Sequence, residues 1–495
     1  IRTRCLPRSN GFAGTESNKD HVMRNARLHR ALLTAFLSLL IVTSASSQTS
    51  PTPDSPAFEK LLTETFPADA PGAAVLVVRN DVVLLRKGFG MANLELKVPI
   101  DPQHVFRVGS ITKQFTAVAI LQLVAAGRIK LDDDVSTYVP DFPAAGHKVT
   151  IAQLLNQSSG LPSYTDEKTW LTTWRQDLKP NELLAFTKGK PPLFTPGTDW
   201  AYSNTNYILL GEIIAKVSGE SYASYLQRKV LAPAGLERTQ YDEPEEVIPN
   251  RASGYAAAGP KKWKNAAYLS MTHPYSAGAL VSTVDDLWRW DKALSSGSVV
   301  DGKLLAQAWT DTVLPDGRST GYGYGWGIGT LGRFKTIEHG GGINGFTAYE
   351  MKVPDAGLYI AILSNNEAAG PLVGTGTLAF RIADAVLGDE SGAKSLTPGP
   401  GSLKDFVGVY RLKGIGKRAV TMADGKLFVQ RTGGPKSPGL VPIAENEFIL
   451  KDFGIRFRFR RGHDGRVEGL VVRPRVGVED VCPRVDEPFE DAAQP

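Results

Sequence analysis

Ser110 and Lys113 stand three residues apart in Ser110-Ile111-Thr112-Lys113, Tyr202-Ser203-Asn204 follows, and His339-Gly340-Gly341-Gly342 comes last. A hydroxyl and an amine at i and i+3 share one face of a helix, so Lys113 can accept or relay the Ser110 proton and turn the hydroxyl into a nucleophile. Tyr202 is a poor base at the ordinary tyrosine pKa of about 10 and needs a cation beside it, for which Lys113 is the candidate. Asn204 has the donors and acceptor to orient that lysine and hold a substrate amide. Three successive glycines let a substrate backbone approach a strand edge, and the amides of Ser110 and Gly342 are the candidate oxyanion donors. His339 has two roles open to it: binding a substrate carboxylate when protonated, or hydrogen-bonding the lysine-tyrosine network.

Each piece alone has an ordinary structural reading. Ser110 would be a helix cap, Tyr202 a loop residue packed on the core, and the glycines a flexible turn. A second Ser-x-x-Lys match, Ser391-Gly392-Ala393-Lys394, lies in a stretch rich in Gly, Pro and Ser that reads as linker. Context separates the two matches, since Ser110 follows Gly109 and opens an apolar run at helical spacing, Phe115 to Ala126, ended by Gly127. A helix start favours developing negative charge, which suits a nucleophile and its oxyanion. Three such pieces in one order read as an acyl-transfer site.

On these motifs the chain resembles the serine β-lactamase superfamily in its class C branch, which also holds D-aminopeptidases, D-alanyl-D-alanine carboxypeptidases and penicillin-binding-protein-like esterases. Phe106-Arg107-Val108-Gly109, Leu154 to Leu161, Ser276-Ala277-Gly278 and Ser282 to Leu287 resemble accessory segments of that family, and the likeness runs roughly from Ala57 to Leu387. The resemblance implies Ser110 as the acylated nucleophile, Lys113 and Tyr202 as the proton-shuttling pair, and Asn204 and His339 as supporting groups. Two departures stand out. His-Gly-Gly replaces the Lys-Thr-Gly of true β-lactamases, removing the ammonium and hydroxyl that grip a β-lactam carboxylate. Asn156-Gln157 replaces a common Thr-His, which is read as peripheral. The activity expected is hydrolysis of esters or of D-residue amides and peptides, with a true β-lactamase or a silent peptidoglycan-binding homologue as alternatives.

These residues need a scaffold. The strand patterns Ala73 to Val78 and Val82 to Phe89 flank Arg79-Asn80-Asp81 as a hairpin, Phe334 to Glu338 reads as a strand, and Tyr349 to Val353 with Leu358 to Leu363 form a second hairpin. Pro371 to Leu387 reads as a closing helix. With helices between the hairpins, the fold class expected is α+β, β-lactamase/transpeptidase-like: an antiparallel sheet flanked by helices, beside a helical lobe. The domain spans residues 54–390 and a linker covers 391–402. Residues 403–486 carry six short strands at regular spacing, read as a small all-β barrel, lipocalin-like by resemblance. All three motifs precede the linker, so the barrel is expected to stabilise the enzyme and to be dispensable for its chemistry.

Residues 1–47 are read as a leader: 1–22 as upstream read-through, and 23–47 as a signal peptide with Arg24, Arg27 and Arg30 before the apolar run Ala31 to Val42 and a Ser-Ala-Ser-Ser cleavage zone. This predicts a secreted or periplasmic protein without a stable membrane anchor. The leader holds seven Lys or Arg and two acids, and taking these from 56 and 51 leaves 49 of each, so nucleic acid is not an implied partner. Cys5 falls in the leader and Cys482 stands single, while the seven histidines show no His-Glu-x-x-His spacing. Neither a metal nor a cofactor is expected, and the partner is a small-molecule or peptide substrate.

Overall fold

The computed structural model describes residues 57–489 apart from 141, 143–145, 368–373, 392–402 and 413–415. The expected leader, most of the expected linker and the Ser391 to Lys394 motif therefore lie outside the described residues, as does the start of the helix expected from Pro371.

The hydrolase part is built on a six-stranded antiparallel sheet. Its strands are β1 (Ala73–Arg79), β2 (Val82–Phe89), β3 (Gly327–Leu331), β4 (Phe334–Ile343), β5 (Phe346–Val353) and β6 (Leu358–Ser364), in the spatial order β3-β4-β5-β6-β1-β2. Asn80 and Asp81, both at positive φ, make the two-residue turn between β1 and β2. The hairpin then joins the sheet where Ala73 pairs with Ser364. β1 is apolar along nearly its whole length because both faces are covered. Ala74, Leu76 and Val78 join one core, while Ala73, Val75 and Val77 join another. The second core is closed by the helices Ala57–Thr65 and Thr375–Leu387. The first holds the helical lobe, in which Phe115 stacks on Trp290 at 4.2 Å between ring centroids.

Three helices of that lobe position the site. The helix Thr112–Ala125 is buried on nearly every side, which explains why its sequence is apolar all round rather than amphipathic. It ends before Gly127, whose φ of +66° is the left-handed stop expected there. The helix Asn204–Ser218 packs against it, starting three residues earlier than its apolar run suggests. The short helix Tyr275–Gly278 is pinned to both: Thr116 Oγ1 donates to Ser276 O at 2.7 Å and Ser276 Oγ to Tyr207 O at 2.7 Å.

The C-terminal part is an eight-stranded sheet, two strands more than the sequence pattern suggests: β7 (Gly408–Arg411), β8 (Lys417–Ala423), β9 (Lys426–Arg431), β10 (Val441–Ala444), β11 (Glu447–Leu450), β12 (Ile455–Arg461), β13 (Val467–Arg473) and β14 (Asp480–Val485). Its order is β9-β8-β7-β14-β13-β12-β11-β10. Main-chain bonds from Leu440 to Leu427 and from Ser437 to Val429, both 2.8 Å, tie the approach to β10 onto β9 and nearly close a barrel. Its interior is filled by Phe406, Tyr410, Phe448 and Phe459 with aliphatic neighbours, and along β12 the buried Phe457 and Phe459 alternate with the exposed Arg458 and Arg460. Cys482 is buried in this wall with its thiol pushed up to about 12 by burial, so it is no competing nucleophile. Among the described residues no helix is long and apolar enough to cross a membrane.

Candidate active site

Ser110 sits in a single 3₁₀ turn, Gly109–Ile111, that runs directly into the helix Thr112–Ala125. The N-cap positions of the turn and of the helix fall to Val108 and Ile111, so Ser110 is the cap residue of neither. Gly109 has φ +50°, and a Cβ on it would lie 2.9 Å from Gly342 N. A Cβ on Gly341 would lie 1.9 Å from Val108 O and 3.1 Å from Ser110 N. Glycine is therefore required on both sides of the contact, and through it β4 is pressed against the nucleophile turn. Ser110 and Gly342 border one cavity together.

Lys113 is fully buried and burial holds its amine well below the ordinary lysine range. Its Nζ has three neighbours: Asn204 Oδ1 at 2.9 Å, Ala277 O at 2.8 Å and Ser110 Oγ at 3.1 Å. The two carbonyl oxygens can only accept. Nζ reaches all three, and the burial that lowers its pKa favours the form whose lone pair can take the Ser110 proton. That is the geometry of a base and its nucleophile.

Tyr202 behaves differently from the expectation of a lysine-lowered phenol. Lys113 Nζ lies 4.8 Å from the centre of its ring, and burial pushes the phenol above its ordinary range, partly offset by a hydrogen bond shared with Ser110. The residue as a whole remains 36% exposed. Burial thus favours the protonated phenol, which is able to pass a proton on.

Asn204 opens its helix and reaches Lys113 through Oδ1, while its Nδ2 donates to Thr165 Oγ1 at 3.2 Å. The turn holding Tyr202-Ser203-Asn204 depends on Gln157, whose Oε1 accepts from Ser203 N at 3.0 Å and from Asn206 Nδ2 at 2.6 Å. Gln157 is fully buried at φ +67°. The sequence reading that called it peripheral is corrected: it fixes the entry to the helix that carries Asn204. Its Gln-Ser-Ser spacing carries no chemical pattern, and only its place in a Gly-ended turn could have flagged it.

His339 is enclosed, and burial followed by repulsion from Lys113 lowers its imidazole to about 3. Nδ1 faces Gly340 O at 2.6 Å, an acceptor only, so Nδ1 carries the proton and Nε2 accepts from the Tyr322 hydroxyl at 2.9 Å. The role of protonated carboxylate binder is thereby corrected. The imidazole is neutral throughout the physiological range and serves as a hydrogen-bonding wall beside Tyr202, 6.4 Å away between ring centres. Gly340 follows it along β4 and lines the cavities on that side.

Two cavities meet at Ser110. One, of about 120 Å³, runs past Asn204 and Gly342 to Tyr164, Trp170 and Leu269. The other, of about 220 Å³, runs past Tyr202 and His339 and is closed by Arg475 and Val476. Both closing residues belong to the loop between β13 and β14 of the barrel. Residues beyond the linker thus line the site, although all three motifs precede it. Among the described residues no cluster of His, Cys, Asp and Glu has the form of a metal site.

The Beta-lactamase domain family matches residues 60–383, well over half of the chain. The chain belongs to the β-lactamase family. Within it, Protein flp of Staphylococcus aureus (strain N315) is 30% identical over 299 residues, 60% of this chain and 59% of that protein, so the chain spans under two thirds of that relative. Penicillin-binding protein 4* of Bacillus subtilis (strain 168) is 26% identical over 415 residues, 79% of this chain and 90% of that protein. Among solved structures, the octameric penicillin-binding protein homologue from Pyrococcus abyssi superposes with a TM-score of 0.60 at 25% identity, covering 86% of this chain and 99% of that one. A D-stereospecific amidohydrolase from Streptomyces sp. gives 0.56 at 26% identity, covering 68% and 98%. The β-lactamase/transpeptidase-like fold, with its barrel-shaped sheet at the C-terminus, is therefore that of a serine hydrolase family.

Proposed function

We propose that the chain is an exported serine hydrolase that works through an acyl-enzyme on esters or on D-amino-acid amides and peptides. The observation that carries the reading is the placement of Lys113 Nζ, 3.1 Å from Ser110 Oγ and anchored on Asn204 Oδ1 and Ala277 O at 2.9 and 2.8 Å. Ser110 attacks the scissile carbonyl as its proton moves to Lys113 Nζ, and the amides of Ser110 and Gly342 receive the oxyanion. Tyr202 delivers its phenolic proton to the departing oxygen or nitrogen and regains one from Lys113. Water then repeats the sequence on the acyl-enzyme, with the lysine as base.

The D-amide arm of the reading draws on the likeness to a D-stereospecific amidohydrolase. Against β-lactams stands the neutral His339, which offers no ammonium to a substrate carboxylate. Export, with a secreted or periplasmic destination, rests on the leader's basic and apolar pattern. The test is a fluorophosphonate probe followed by peptide mass spectrometry, with a panel of p-nitrophenyl acetate, a D-alanyl anilide and nitrocefin. The mass is expected on Ser110, with nitrocefin the slowest substrate. Labelling that survives Ser110→Ala would overturn the nucleophile, and nitrocefin outpacing the others by orders of magnitude would make the chain a β-lactamase proper.

A further inference from the structure

The loop between β13 and β14 is fastened to the hydrolase sheet at several points. Gly477 N donates to Thr320 O at 2.7 Å, and Gly321 lies so close beneath that a Cβ there would stand 2.6 Å from Arg475 O. Arg475 lays its guanidinium 4.9 Å from the ring centres of both Tyr349 and Phe380. Its Nε stands 2.7 Å from Glu338 Oε1, and Glu338 immediately precedes His339 on β4. The ion pair is poorly aligned: Arg475 Nε and both carboxylate oxygens of Glu338 are buried without a well-formed hydrogen bond.

The contact of this guanidinium with Glu338 is made through Nε. Among the described residues the two terminal nitrogens make no hydrogen bond, although a guanidinium carries five N–H donors in a planar fork suited to carboxylates. Arg475 lines the 220 Å³ cavity that reaches Ser110 and also an adjoining one of about 510 Å³, which shares Gly340, Tyr349 and Val476 with the first. Among the residues lining the cavities around Ser110 it is the sole permanent cation.

We propose that Arg475, supplied by the barrel, is the specificity-determining cation of the active site and receives a carboxylate carried by the substrate, with Glu338 holding the guanidinium in place. The proposal rests on Ser110 being the nucleophile, because its cavity is defined from that residue.

The experiment compares kcat and KM for a neutral ester, p-nitrophenyl acetate, and a matched anionic one, mono-p-nitrophenyl succinate, in the full chain. Arg475→Gln is expected to lower kcat/KM for the succinate ester about tenfold or more, the worth of a charge-assisted hydrogen bond. The loss should fall mainly on KM and be several-fold larger for the succinate ester than for the acetate ester, with Arg475→Lys recovering part of it. Glu338→Gln, which removes the carboxylate that holds the guanidinium, should weaken the succinate ester in the same direction. An Arg475→Gln enzyme that loses both esters in equal proportion, or keeps the wild-type ratio, would overturn the assignment. If that variant does not fold, Val476→Glu places an anion on the same wall and should selectively depress the succinate ester; an unchanged ratio there overturns it equally. Ser110→Ala run alongside keeps the two readings apart, since acetate hydrolysis surviving that change refutes the nucleophile and not merely the arginine.

Discussion

The two cavities on either side of Ser110 are made of different materials. The one beyond Asn204 is walled by Tyr164, Trp170, Leu269 and Ile343 and has no charged lining residue. The one beyond Tyr202 is walled by Glu338, His339 and Arg475 and needs a loop from a second domain to close it. The first is fitted to recognise bulk and the second to recognise charge. A single nucleophile thus stands between an apolar test and an electrostatic one, and the two can be altered independently.

The largest expected effects fall on the machinery that both cavities share. Lys113→Ala and Tyr202→Phe should each reduce kcat by about 10² to 10⁴, the usual range for a lost acid-base group. Stopped assays on the double variant are the sharper check, since residues acting as one unit lose far less than the product of their single losses. A full product would show that the phenol and the amine work separately.

Next in size is the support beneath the Tyr202 turn. Gln157→Ala strips the acceptor from Ser203 N and Asn206 Nδ2 and should cost about 1 to 3 kcal/mol of stability, as unpaired buried donors do. Thermal unfolding measures that cost. A variant as stable as wild type would mean that water or Asn156 replaces the lost amide.

A smaller effect is expected on the apolar side. Leu269→Ala removes buried side-chain volume from that wall and should shift relative kcat/KM toward bulkier apolar esters by roughly tenfold, within the range a few methylenes command. The ratio of succinate to acetate ester should not move. A change in that ratio would show that the two cavities are not independent.

The smallest expected change is on pH. Lys113 has its pKa lowered, so its amine is neutral above that lowered value and kcat/KM for a neutral ester should fall only as pH drops through it, with no loss on the alkaline side. His339, lowered to about 3, gains no proton between pH 5 and 8, so the preference between anionic and neutral esters should stay flat there. A preference that fades with a midpoint near 6.5 would restore the cationic histidine.

What was legible in the sequence was local. Ser110 and Lys113 are joined by one helical turn, so their spacing alone implies the 3.1 Å approach. The β1–β2 hairpin was visible because Asn80 and Asp81 are turn residues between apolar runs. Strands β10 and β14 were not, because Pro442 and Pro483 sit inside them and argue against a ladder. β3 carries two glycines in five residues and gives no strand signal. Arg475 was invisible for a different reason: nothing near it in the chain is chemical, and its meaning comes from Glu338 and Ser110, which only the fold brings to it.

The register between Ala73 and Ser364 also sets a timetable for synthesis. The first hairpin emerges from the ribosome early, yet its inner neighbour β6 is made almost three hundred residues later. Until then Ala73 to Val78, an unbroken apolar stretch, has an unpaired edge of the kind that other chains can add to. The barrel waits less, because β7 to β9 and β10 to β14 each pair with the strand next in sequence and only β7 must await β14. A nascent chain halted before β6 would therefore be the most aggregation-prone form of this protein, and a chaperone acting on it would find its target at the N-terminal hairpin.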